Sequence, residues 1–152
     1  MKDRSVNQVA FMATLHCLSG CAIGEVLGLV IGTAAGLGNL QTIGLAILLA
    51  FLFGYVLSAL ALLRADLSFR RAFSIVLAAD TLSILTMEIV DNAVMWFIPG
   101  AMHVGLSSPL FWGSMAIALV AAFFAAFPVN KYLLQRGKGH ALVHEYHHKH
   151  QD

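Results

Sequence analysis

Glu25, Asp80, Glu88 and Asp91 lie inside long apolar runs that contain no Lys or Arg. A charged side chain at the centre of a bilayer-spanning helix costs about 2.5–3.5 kcal/mol, so together they cost on the order of 10 kcal/mol if ionised. Acids in that position must be protonated, face water or share a bound cation. Their spacing favours sharing. At about 100° per residue, Asp91 falls within about 20° of Asp80, with Met87 beside them and Met95, Glu88 and Asn92 further round the same face. Val, Ile, Leu and Ala fill the other face of that helix.

A complementary set stands near the N-terminus. Cys17, Cys21 and Glu25 repeat every four residues, next to His16. Gly20, Gly24, Gly28 and Gly32 repeat at the same interval beside them, a pattern that lets helices approach closely in lipid. The third helix is the expected partner, because its acids lack company. By helical rise, Cys17 and Asp80 sit about 12 Å in from the ends of their helices, and Glu25 and Glu88 about 24 Å in. Asp91, Asn92, Met95, Met102 and His103 then approach the far surface.

Carboxylate and imidazole suit Zn, Fe or Mn, and thiolate and thioether suit Cu(I) or Zn. The mixture leaves the metal open among Cu, Zn and Fe. The C-terminal stretch adds a second candidate set, His140, His144, His147 and His148; His144 stands one helical turn from both His140 and His148. No Cys-x-x-Cys or Gly-x-Ser-x-Gly motif points to an enzyme.

These residues must be positioned by membrane helices. Of 152 residues, 59% are hydrophobic and 11% charged, against about 25% charged in a soluble domain. Four apolar runs, near 9–32, 42–63, 72–98 and 109–134, have the length of about 20 residues that crosses a bilayer. The first run is too long and too polar within for a cleaved signal peptide. The short gaps between runs favour an up-down arrangement. All nine Lys and Arg fall before the first run, in the second gap, or from Lys131 onward, and the first and third gaps have none. The positive-inside rule puts both termini in the cytoplasm. The expected fold is therefore all-α: an integral membrane four-helix bundle over 1–134, followed by a His-rich cytoplasmic tail over 135–152. No basic face exists to bind nucleic acid.

Three segments carry a family resemblance: His16-Cys17-x-x-Gly20-Cys21-x-x-Gly24-Glu25, Asp80-Thr81-x-Ser83…Met87-Glu88-x-x-Asp91-Asn92, and Pro128-Val-Asn130…Arg136-Gly137-x-Gly139-His140. Together they resemble a small prokaryotic membrane family catalogued as domain-of-unknown-function family 4396. The resemblance covers nearly the whole chain and implies a four-helix protein of the inner membrane. It implies no activity.

The residues themselves suggest a protein that binds or transports a transition-metal ion. Asp91, Met95, Met102 and His103 would capture the ion. Glu88, Glu25, Cys21, Cys17 and Asp80 would pass it on, with Met87 and Asn92 alongside, and His16 and the tail histidines would receive it. A 16.3 kDa chain seldom encloses a complete path, so a homo-oligomer is expected, with a metal-handling partner as a further possibility. The alternatives are a proton-conducting or proton-coupled protein, or a structural or assembly subunit of a membrane complex.

Overall fold

A computed structural model describes residues 2–63 and 69–135. Four α-helices follow one another: α1 Lys2–Ala34, α2 Asn39–Leu63, α3 Phe69–Phe97 and α4 Pro109–Gln135, with a single 3-10 turn, Ala101–His103, before α4. The fold is an all-α helical bundle, and no strand occurs among the described residues. Helix α1 begins at Lys2 rather than near Val9, and α3 at Phe69 rather than near Ala72. Arg64 and residues 136–152 lie outside the described residues, and with them the candidate ligands His140, His144, His147 and His148.

Local chemistry sets the helix ends. Gly36 takes φ +67°, a left-handed conformation that glycine adopts without strain. It closes α1 in a Schellman motif: Leu37 N donates to Gly32 O at 2.9 Å, and Gly36 N to Thr33 O at 3.2 Å. At the start of α2, the Gln41 side chain accepts from Gly38 N at 3.1 Å, half of a capping box. Ser108 caps α4 by accepting from Leu110 N at 3.3 Å, with Pro109 in the first helical position.

Among the described residues, three helical segments are long and apolar enough to cross a membrane: Val6–Ala34, Asn39–Leu60 and Pro109–Gln135. The protein is a membrane protein. Helix α3 has the length, 29 residues, but carries three acids within it. Those acids point inward, while Leu82, Leu85, Ile89, Trp96 and Phe97 stand exposed on the outer face of α3.

Helices α1 and α2 pack most extensively, followed by α3 and α4; α1 also meets α4, and α2 meets α3. The result is a square in which α1 and α3 touch across the diagonal. The glycine stripe belongs to the α1–α2 side. A Cβ at Gly24 would lie 2.2 Å from Ala50 N, and one at Gly28 would lie 2.3 Å from the Ala46 Cα. Gly20 meets Gly54, and Gly32 meets Thr42, in the same way. The expectation that this stripe faces the third helix is therefore corrected. Gly24 and Glu25 are adjacent, about 100° apart around the helix axis, so one meets α2 while the other looks across the diagonal.

Candidate functional site

The polar faces of α1 and α3 meet at the centre of the square. Glu25, Glu88 and Asp91 are 7%, 4% and 6% exposed, buried to a degree rare for acids. The Glu25 carboxyl comes within hydrogen-bonding reach of both Glu88 and Asp91. Such a contact is a bond only when one of the two carboxyls holds a proton, because carboxylates only accept. Cys21 lies against Glu88. Among the described residues, Glu25 Oε1, both Glu88 oxygens and Asp91 Oδ1 find no hydrogen-bond donor.

These acids line a cavity of about 120 Å³. That is room for a few waters or a partly hydrated ion. Asn92, Met95 and Met102 line it as well, as the sequence suggested. Asn92 donates from Nδ2 to the Glu88 backbone carbonyl at 2.8 Å, which leaves its side-chain oxygen unspent. Asn39 and Thr42 of α2 and Phe111 and Met115 of α4 are also among the lining residues. Sequence reasoning missed these four. Thr42 had one signal, since Thr42, Ala46, Ala50 and Gly54 form a small-residue stripe that matches the one on α1.

The remaining candidates lie elsewhere. His103 is exposed on the 3-10 turn and does not line the cavity. Cys17, Cys21 and Met87 are in a buried apolar cluster with Ile84, Ala50, Ala122 and Ala126. Beyond that cluster a second polar group forms around Asp80. The side chains of Asp80 and Ser83 meet Cys17, and Ser58 of α2 meets both Cys17 and Asp80. Cys17 Sγ lies 3.9 Å from Ser58 Oγ. His16 is near enough for its charge to act on Asp80, but its Nδ1 donates to Met12 O at 2.8 Å. This bond leaves Nε2 of the neutral ring with its lone pair free.

The single ladder of ligands expected from the sequence is thus divided into two polar groups by a layer of sulfur and hydrocarbon. Among the described residues, no three His, Cys, Asp or Glu side chains gather closely enough to hold a metal ion by themselves. A metal in the cavity would draw further ligands from water, the Asn92 amide, the Thr42 hydroxyl or the two thioethers.

No curated protein and no solved structure matches the chain. The model of one family, described as Domain of unknown function (DUF4396), matches residues 6–139, from the first turns of α1 to beyond the end of α4, and the chain belongs to that family.

Proposed function

We propose that the protein binds a transition-metal ion in the cavity between α1 and α3 and passes it across the membrane. The observation that carries this reading is the set of buried carboxyl oxygens on Glu25, Glu88 and Asp91 with no donor to receive. Desolvated carboxylates without partners repel one another, and a cation among them turns that repulsion into attraction. Carboxylate oxygens suit Mn, and the thioethers of Met95 and Met102 extend the range towards Zn and Cu(I).

In this reading α3 also crosses the bilayer, with its acids inward and Leu82, Leu85 and Ile89 towards lipid. The segregation of Lys and Arg supports cytoplasmic termini, and the family resemblance supports a prokaryotic plasma membrane. The working unit is a homo-oligomer.

Metal analysis of protein purified into nanodiscs, equilibrated with Zn, Fe(II), Mn or Cu and then desalted, tests the proposal. About one ion per chain is expected, lost in Glu25→Gln and Glu88→Gln. Metal at background in the wild type sinks it. One observation favours a second reading, a proton relay: the acids meet in pairs, Glu25 with Glu88 and Glu25 with Asp91, and one shared proton satisfies each pair. Proteoliposomes that acidify under a pH gradient regardless of metal would select it.

A further inference from the structure

The group around Asp80 is separate from the cavity and has its own signature. Asp80 is 9% exposed and Ser83 fully buried, yet Asp80 Oδ2 and Ser83 Oγ have no hydrogen-bond partner. For Ser83 this is a departure from local habit. Ser114 Oγ is buried without a partner too, but a hydroxyl in a membrane helix commonly donates to the carbonyl four residues back. Thr14, Ser19, Thr81 and Thr86 all do so, at 2.5–2.8 Å. Ser83 instead lies beside the Cys17 thiol, which Asp80 and Ser58 also meet. Helices α2 and α3 thus bring one carboxylate and two hydroxyls around the Cys17 thiol of α1, and two of those groups hold an unspent oxygen.

We propose that Asp80, Ser83 and Ser58 form a second cation site, for a small monovalent ion of the sodium class. Charge balance selects the valence. Asp80 is the only carboxylate in this group, so a monovalent ion leaves the buried site neutral, whereas a divalent one leaves an uncompensated charge in low dielectric. Ligand type selects the ion class, because carboxylate and hydroxyl oxygens are hard donors. Among the described side chains, His16 is the one whose positive charge would act on Asp80, and its Nδ1 is engaged with Met12 O. The site stands without the metal reading of the outer cavity. Taken with it, a monovalent site at the opposite end of the seam would serve as the coupling ion of a carrier.

Thermal unfolding in nanodiscs, in NaCl against choline chloride at equal ionic strength, tests the inference. The midpoint is expected to rise by roughly 5–10 °C when sodium stands about a hundredfold above its dissociation constant. Asp80→Asn should abolish the rise. Ser83→Ala removes a hydroxyl that has no partner, so it should fold, and it should shift half-saturation to at least tenfold higher sodium. Glu88→Gln should keep the response, because it belongs to the outer cavity, whose metal content is read independently. Equal midpoints in the two salts would overturn the proposal. So would a sodium response that survives both Asp80→Asn and Ser83→Ala, or one that Glu88→Gln removes. A midpoint that follows pH but ignores sodium, and loses its pH dependence in His16→Gln, would assign the counter-charge to His16 and also overturn it.

Discussion

The face of α1 turned to α2 and the face turned across the bundle to α3 use the same four-residue repeat for different ends. On the first, Gly20, Gly24, Gly28 and Gly32 press against the backbone or small side chains of Gly54, Ala50, Ala46 and Thr42. Apart from the Thr42 hydroxyl, the side chains there are hydrogen atoms and methyl groups. On the second, Cys17, Cys21 and Glu25 meet Asp80, Glu88 and Asp91, and carboxyl oxygens remain without donors. The tight face makes the open face possible. Close packing in lipid is driven by van der Waals contact and fixes α1 firmly to α2, so an electrostatically unsatisfied seam can be held together on the neighbouring face.

The first way to break this comparison is to damage the tight face. Gly24→Val places a branched side chain where even a Cβ would lie 2.2 Å from Ala50 N. Loss of monodisperse protein on size exclusion is the expected outcome. Normal elution with an unchanged melting midpoint would show that α1 and α2 are not packed as described.

Damage to the open face should act the other way. Glu88 has two buried oxygens without donors, so Glu88→Gln removes a charge and supplies an amide that can donate to Glu25. Metal affinity should fall at least about tenfold. The metal-free protein should keep its stability or gain about 1 kcal/mol. A clear drop in its melting midpoint would mean that the Glu88 carboxylate is structurally paired after all.

A satisfied polar contact offers an intermediate case. Asn130 of α4 donates from Nδ2 to Thr14 Oγ1 at 2.8 Å, and Thr14 donates in turn to Ala10 O. Asn130→Ala should lower stability by about 1 kcal/mol, the usual range for an interhelical bond in a membrane. Metal content should not change. The smallest effect is expected at Gly44, where an added Cβ meets nothing within 4 Å. Gly44→Ala should be neutral or stabilising by up to about 1 kcal/mol through helix propensity. A large loss at this position would place a contact there, such as a second copy of the chain.

Much of this was legible beforehand. The apolar runs announced the helices, and the inward stripe of α3 was readable from the spacing of Asp80, Glu88 and Asp91. The pairing of Glu25 with Glu88 followed from equal depth. The partner of the glycine stripe was not legible. Its signal was present in Thr42, Ala46, Ala50, Gly54 and Ser58 of α2, but a helix without a charged residue draws no attention in a search for chemistry. Ser58 and Ser83 were passed over for a related reason: a serine in a membrane helix ordinarily bonds its own backbone, and only geometry reveals that Ser83 does not.

Composition and periodicity alone determined that the chain is a helical membrane protein whose acids must face inward, because lipid tolerates neither an exposed backbone nor an exposed charge. Which helix meets which face of α1 was decided by the tertiary structure. So was the division of one expected ladder into the cavity of Glu25, Glu88 and Asp91 and a separate Asp80 group. Adjacent faces of a helix differ by about 100°, and sequence spacing cannot say which neighbour occupies each until the four helices close into a square.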